Sequence, residues 1–216
     1  MQKNHKKTSE YIFAILKARI VSLEYPPGMP LNDKEIGKEF GVSRTPVREA
    51  IKKLEHEGLV TVLPRYSTTV SLIEINDIRW AFDVRLRLEG LAGAEAAKGL
   101  SSSQLVEMKN IIYMLRELAQ KNPQDLKQVS TLHGEFHKIL YEGSQNPILC
   151  DILNSLHSRC ARACNAYLNR RHHSSCDLDQ LQAIYQALVN RDTEQAACLC
   201  ESHVQSVMNR LKNALL

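Results

Sequence analysis

The apolar residues of the chain follow one repeat over most of its length. In residues 9–23, and in most segments after residue 77, they recur every three or four positions, which is the spacing of an amphipathic α-helix. Residues 59–63 and 68–72 differ, because they are rich in β-branched residues and flank a short turn. The pattern therefore predicts a mainly α protein with one two-stranded β-hairpin.

Three predicted helices precede the hairpin and form a first domain with it, over residues 1–74. The first helix spans residues 9–23, and the second begins after Asn32, a residue type that caps helices well. Gly41 ends this short second helix, because glycine readily adopts the left-handed conformation that helix ends favour. A tight turn leads into a third helix, so the two short helices form a helix-turn-helix.

The third helix carries the candidate chemistry of this domain. It is predicted to run to about Glu57, with Thr45 as the N-cap and Pro46 in the first helical position. Its buried stripe consists of the apolar residues Val47, Ala50, Ile51 and Leu54. Arg44, Thr45 and Arg48 then lie on or near the exposed face. Such a helix can enter the DNA major groove, where arginine bonds guanine and threonine meets bases or phosphates.

Residues 43–60, SRTPVREAIKKLEHEGLV, resemble the signature of the GntR family of bacterial transcription regulators. The resemblance implies a winged helix-turn-helix that binds double-stranded DNA, as a homodimer on a pseudo-palindromic operator. The residues expected to contact DNA are Arg44, Thr45, Arg48, Arg65 and Tyr66. The hairpin departs from the family pattern at Ser67, where family members usually carry a glycine, and a non-glycine residue there disfavours positive φ.

Six further amphipathic helices are predicted in a second domain, over residues 75–216. Their predicted ranges are 77–98, 102–120, 125–142, 147–171, 177–190 and 193–215. Short polar loops join them, which predicts an all-α antiparallel helical bundle with an interior large enough for a ligand. This half resembles the FCD-type ligand-binding domain of the FadR branch of the GntR family. The resemblance implies that a small-molecule effector, for which we expect a carboxylate metabolite, controls operator binding.

Arg85 and Glu89 fall one turn apart on the inner face of the first bundle helix. One interpretation is an ion pair, because a buried charge is costly unless it is paired. The other is an anion receptor, since a guanidinium binds a carboxylate through two parallel hydrogen bonds. The family resemblance places both residues in the effector pocket, so both are candidate effector-binding residues.

Three histidines lie on the inner faces of two other bundle helices. His133 and His137 stand one turn apart, a spacing at which two imidazoles can chelate one transition metal, and His203 can complete three ligands. Many metal-binding family members carry an Asp, a His four residues later in a Phe-His dipeptide, and two further His. Phe136-His137 matches the dipeptide and His203 matches the last His. His133 replaces the Asp, and Leu181 stands where the remaining His is expected.

The histidines leave two hypotheses open. In the first, three neutral imidazoles bind Zn²⁺ or Ni²⁺ and leave positions for water or an effector carboxylate. In the second, Leu181 has abolished metal binding, and the histidines hold an anion directly together with Arg85. Under both hypotheses His133, His137 and His203 contribute to the effector pocket.

Composition adds an expectation about the compartment. The formal net charge of +4 is mild and does not by itself indicate nucleic acid. No secretion signal or apolar run of roughly 20 residues is present, so a cytoplasmic protein with no membrane contact is expected. Reduced thiols are then expected at the six cysteines, Cys150, Cys160, Cys164, Cys176, Cys198 and Cys200. The buried ones should behave as small hydrophobic residues, with a redox- or metal-responsive cysteine/histidine regulator as the alternative.

A helical metalloenzyme with a DNA-binding appendage is a further alternative. It needs a general base beside the metal, and the candidates are Glu89 and Glu135, the latter on the opposite flank of its helix from the histidine pair. No nucleophile–base motif or phosphate-binding loop accompanies them. The sequence therefore predicts a metabolite-responsive transcription regulator and not an enzyme.

Overall fold

Nine helices and one β-hairpin make up the residues that the computed structural model describes, which are 2–122, 125–167 and 177–215. These elements fall into two compact units, Met1–Ile75 and Asn76–Leu216. The predicted fold class, a mainly α protein with a winged helix-turn-helix before a helical bundle, is confirmed. None of the described helices is both long enough and apolar enough to span a membrane.

Unit 1 has one apolar core to which all of its elements contribute. The elements are α1 Gln2–Val21, α2 Asp33–Glu39, α3 Arg44–His56, β1 Val60–Leu63 and β2 Ser67–Val70. Ile12, Leu16 and Ile20 of α1 are fully buried there, as are Val47 and Leu54 of α3. The two strands pair antiparallel and contribute Val60 and Val70 to this core. The stripe predicted for α3 is therefore its buried face.

The ends of α1 and α3 differ from their predicted positions. α1 begins at Gln2, seven residues earlier than the apolar repeat indicates. α3 begins at Arg44 with Ser43 as its N-cap, so the prediction of Thr45 as the cap is wrong. Pro46 consequently lies in the third helical position. It is tolerated there because first-turn amides have no partner within the helix.

The residues predicted to begin and end α2 are in place, but the hairpin turn differs from its prediction. Asn32 caps α2 by accepting a hydrogen bond of 2.9 Å from the Lys34 amide, and Gly41 has φ of +64°, both as predicted. In the hairpin turn the left-handed residue is Arg65, with φ of +68°. Ser67 instead lies within β2, opposite Leu63. Ser67 therefore does not strain the hairpin.

Unit 2 is a bundle of six helices around a second apolar core. The helices are α4 Ile75–Gly99, α5 Ser102–Lys121, α6 Leu126–Gly143, α7 Pro147–Tyr167, α8 Leu178–Val189 and α9 Thr193–Leu215. Within the described residues their ends agree with the predicted ends to within two residues. Residues 168–171, which the prediction assigned to the fourth bundle helix, lie outside the described residues.

Two local features bring α4 close to the segment around α9. A Cβ atom at Gly93 would lie 2.7 Å from the carbonyl oxygen of Ala196, so the absence of a side chain lets the two helices approach. Arg191, just before α9, donates hydrogen bonds of 2.9 and 2.8 Å to the carbonyl oxygens of Ala97 and Leu100. These bonds satisfy acceptors at the end of α4 that have no partner within the helix.

Candidate functional site

Both exposed arginines at the start of α3 are bound to one carboxylate. Arg44 donates two parallel hydrogen bonds of 3.0 Å to Asp33, and Nε of Arg48 donates another of 2.6 Å. Burial alone would raise the pKa of the Asp33 carboxyl, but the hydrogen bonds from the two guanidiniums outweigh it and lower that pKa below 3.8. The arginine side chains remain 58% and 60% exposed. Much of each guanidinium is therefore accessible to a partner.

The other residues predicted to contact DNA are also on the surface of unit 1. Thr45 lies exposed between the two arginines, and Arg65 and Tyr66 form the exposed turn of the hairpin. Tyr66 is 90% exposed. An open groove between α3 and the hairpin is lined by Arg48, Lys52 and Arg65, among others. This face of the unit is accessible and carries several cationic side chains.

The bundle brings together the three histidines that the sequence singled out. His133 and His137 lie on α6 and His203 on α9, and one nitrogen of each lies within 4.8 Å of the others. Nε2 of His137 is 3.3 Å from Nε2 of His203, and both side chains are buried. Nε2 of His133 is also buried and has no hydrogen-bond partner among the described residues. These three residues are called the three-histidine set below.

Hydrogen bonds to the other ring nitrogens indicate where the protons of His137 and His203 lie. Tyr141 donates its single proton to Oε1 of Glu89 at 2.6 Å, so it accepts from Nδ1 of His137, 3.3 Å away. Oε1 of Gln180 accepts from Nδ1 of His203 at 2.9 Å. Both Nε2 atoms then carry lone pairs that face each other. Two such lone pairs repel unless they share a cation, so this donor set fits a metal ion.

Burial keeps the three-histidine set neutral near pH 7. Burial, followed by the charges of Arg85 and Arg210, lowers the pKa of His133 to about 4. The pKa values of His137 and His203 also fall well below 6.5, again mainly because burial disfavours the charged ring. Neutral imidazole is the form that ligates a metal.

Arg85 and Glu89 form a buried ion pair, which agrees with the first interpretation of their spacing. Nε of Arg85 donates to Oε1 of Glu89 at 3.0 Å, and the same guanidinium donates to the Tyr141 hydroxyl at 3.2 Å. Oε2 of Glu89 has no hydrogen-bond partner among the described residues and lies 3.9 Å from Nδ1 of His137. The ion pair therefore fixes Tyr141 and, through its hydroxyl, the orientation of the His137 ring.

A small cavity opens beside the three-histidine set. Its volume is about 20 Å³, enough for a single water molecule or an ion. Its polar lining consists of Arg85, Ser130, His133, His157, Cys160, Cys164, Asn165 and His203. A metabolite is much larger than this cavity, so its entry requires side chains to move.

Three residues of this site, His157, Tyr141 and Gln180, were not predicted from the sequence. His157 of α7 has its ring centre 4.7 Å from that of His137, and it follows the buried Leu153 by four residues, which is a signal for an inward position. Tyr141 carries a similar signal, because it follows His137 by four residues, whereas the contact of Gln180 with His203 depends on how the helices pack. Leu181, at the expected histidine position, is fully buried in the apolar core.

The buried cysteines are thiols with little capacity to react. Cys160, Cys164 and Cys200 are buried, whereas Cys198 is exposed. Burial raises the pKa of Cys164 to about 12 and raises those of Cys160 and Cys200 above 9.0. Such thiols stay protonated, which disfavours the redox alternative for them. Cys176 lies outside the described residues.

Comparison with known proteins gives a consistent assignment for both units. The model of the family described as "Bacterial regulatory proteins, gntR family" matches residues 8–70, and the FCD domain model matches residues 81–206. The HTH-type transcriptional repressor RspR of Escherichia coli K12 is 27% identical over 206 residues, which cover 94% of this chain and 89% of RspR. The HTH-type regulator YdhC of Bacillus subtilis is 23% identical over 200 residues, covering 93% and 89%.

Solved structures show the same fold. McbR/YncC of Escherichia coli superposes with a TM-score of 0.82 at 22% identity, covering 97% of this chain and 99% of that one. A putative GntR regulator from Rhodococcus sp. RHA1 gives a TM-score of 0.73 at 21% identity, covering 95% and 98%. RspR and McbR are HTH-type transcriptional regulators by name, in agreement with the prediction of a regulator. The chain belongs to the GntR family of bacterial transcription regulators, and its second unit is an FCD effector-binding domain.

Proposed function

We propose that this regulator binds a two-fold operator as a homodimer, and that a divalent metal and an anionic effector in the FCD domain control the binding. In each copy Arg44, Thr45 and Arg48 enter the major groove, with Arg65 and Tyr66 against the neighbouring groove. Two arginines held on Asp33 support this reading surface, because both side chains stay more than half exposed and can reach a guanine edge. A two-fold operator requires two copies of the chain.

Zn²⁺ or Ni²⁺ is the cofactor that the three-histidine set fits. The observation that carries this proposal is the 3.3 Å separation of the Nε2 atoms of His137 and His203, with the buried Nε2 atom of His133 in the same cluster. Tyr141 and Gln180 orient the rings from the outside, as hydrogen-bond partners of metal-bound histidines do. A bound metal would supply open coordination positions for an anionic ligand.

The effector is a small carboxylate that binds next to the three-histidine set. Direct anion binding by Arg85 alone is disfavoured, since its guanidinium already bonds Glu89 and Tyr141. The cavity of about 20 Å³ must enlarge to admit any metabolite, so effector binding is coupled to repacking of the bundle. Such a ligand changes operator binding to the extent that it prefers one arrangement of the dimer.

Metal content tests the cofactor proposal. Untagged protein purified without chelator is analysed for zinc and nickel, together with His137→Ala and with His56→Ala as the matched control on α3. We expect close to one equivalent of metal per chain in the wild type and the control, and none in His137→Ala. Wild-type protein that is metal-free and takes up neither added ion would contradict the proposal.

A further inference from the structure

A fourth imidazole borders the three-histidine set from another helix. The ring centre of His157 on α7 lies 4.7 Å from that of His137 and 6.0 Å from that of His133. The separation of His133 and His137 within the set is also 4.7 Å. His157 is therefore as close to His137 as His133 is, although its nitrogens are not among the three that lie within 4.8 Å.

We propose that His157 is the fourth protein ligand of the metal centre in the effector-free protein. The inference rests on the proposed metal at the three-histidine set, and it assigns a ligand that neither the sequence motif nor the family pattern predicts. Three imidazoles leave a tetrahedral ion one position short, and His157 lines the same cavity as His133 and His203. A rotation of its side chain toward that cavity would complete a set of four nitrogens.

The surroundings favour His157 over other donors. Leu181 of α8 is an apolar core residue, so α8 offers no ligand at that position. The thiols of Cys160 and Cys164 also line the cavity, but a metal must displace a proton from either one, whereas a neutral imidazole ligates without losing a proton. Glu89 is bonded to Arg85 and Tyr141 and lies on the Nδ1 side of His137, away from the facing Nε2 atoms.

A fourth ligand on α7 gives the centre a means of signalling. The set of three nitrogens comes from α6 and α9, whereas His157 comes from α7. A carboxylate that enters the coordination shell would displace His157. The other three ligands already lie together in the metal-free protein, whereas His157 has to rotate to reach the metal. Effector binding would then release α7 from the centre while α6 and α9 keep the metal.

Cobalt is the probe for this proposal, because the visible spectrum of Co²⁺ reports its coordination number. Metal-free full-length protein is titrated with Co²⁺ for the wild type, for His157→Gln and for His56→Gln as the control. We expect the intense visible bands of a four-coordinate ion in the wild type and the control. His157→Gln should still bind one equivalent, with weaker five- or six-coordinate bands and an affinity lower by at least about tenfold.

Acetate, as a simple carboxylate, tests the displacement. In excess it should convert the wild-type cobalt spectrum toward that of acetate-treated His157→Gln. X-ray absorption on the zinc form of the wild type counts imidazoles independently, with four expected, and so decides the matter even if the variant fails to fold. Identical spectra for wild type and His157→Gln, or three imidazoles by absorption, would overturn the proposal. Wild-type protein that binds no Co²⁺ would instead overturn the metal centre on which it rests.

Discussion

The protein uses the same chemical pair, arginine and carboxylate, in two different settings. On unit 1, Asp33 binds Arg44 and Arg48, whose side chains are more than half exposed. Inside unit 2, Arg85 and Glu89 are bonded with 5% and 0% of their surfaces exposed. Exposed ion pairs contribute about 0–1 kcal/mol, whereas breaking a buried one costs about 3–5 kcal/mol.

This difference separates two roles. Water and salt ions can replace the partners of the exposed pair at little cost, so its guanidiniums can turn to a DNA base or phosphate. The buried pair has no such replacement. It serves as a fixed support for Tyr141 and His137, and thereby for the three-histidine set.

The largest expected effect comes from breaking the buried pair. Glu89→Gln leaves the Arg85 charge uncompensated and should destabilise metal-free unit 2 by about 3–5 kcal/mol. Urea unfolding followed by the fluorescence of Trp80, the single tryptophan, reports on this unit because Trp80 also lies on α4. Glu95→Gln is the matched control, since Glu95 pairs with Lys98 on the surface of the same helix. Equal midpoints for the two variants would contradict the assigned roles.

The stabilities of the two units should also respond to different ranges of pH. Folding lowers the pKa of His133 from 6.5 to about 4, so the unfolded chain binds more protons in that range and metal-free unit 2 loses stability as the pH falls through it. The lowered pKa of Asp33 acts only below about 3.8, where protonation removes the stabilisation of unit 1. Trp80 fluorescence in urea at a series of pH values measures the first effect. A stability of unit 2 that stays constant from pH 6.5 to 4 would contradict it.

Loss of a reading arginine should affect specificity more than stability. Arg48→Ala is expected to weaken binding to a duplex selected from a random pool by about 1–3 kcal/mol, while binding to random DNA changes less. Fluorescence anisotropy with both duplexes gives the ratio of the affinity for the selected duplex to the affinity for random DNA. Lys98→Ala removes an exposed cation from the other unit and should leave the ratio unchanged. A wild-type ratio for Arg48→Ala would mean that another element reads the bases.

The smallest effect is expected from releasing both arginines at once. Asp33→Asn should change the stability of unit 1 by less than about 1 kcal/mol, because the pair is exposed. Removing one negative charge should strengthen binding to random DNA. The slope of log affinity against log salt concentration should also become steeper, by about the amount that one additional phosphate contact gives. Specificity should fall, since Asp33 no longer orients the guanidiniums. Unchanged affinity for random DNA, measured over a range of salt concentrations, would show that Asp33 does not restrain them.

The sequence predicts most of this architecture because helix periodicity and turn residues are local signals. The buried stripe of α3 and the inward positions of His133, His137 and His203 follow from the 3.6-residue repeat alone. The predicted N-cap of α3 was wrong by two residues, because Ser43, Thr45 and Pro46 all suit the start of a helix.

Contacts between helices were not predictable in the same way. Asp33 reaches Arg44 across the turn of the helix-turn-helix, and Gln180 reaches His203 from the beginning of α8. Both contacts depend on how helices cross, which the repeat does not specify. His157 is an intermediate case, because its position on the α7 stripe indicates that it points inward but not which residues it meets there.

The most direct test of the account is the affinity for the selected duplex with and without Zn²⁺, measured for the wild type and for His137→Ala. If the three-histidine set controls the reading surface, Zn²⁺ changes the affinity of the wild type and leaves that of His137→Ala unaffected. Equal affinities with and without Zn²⁺ in a wild-type protein that demonstrably binds the ion would contradict the central claim.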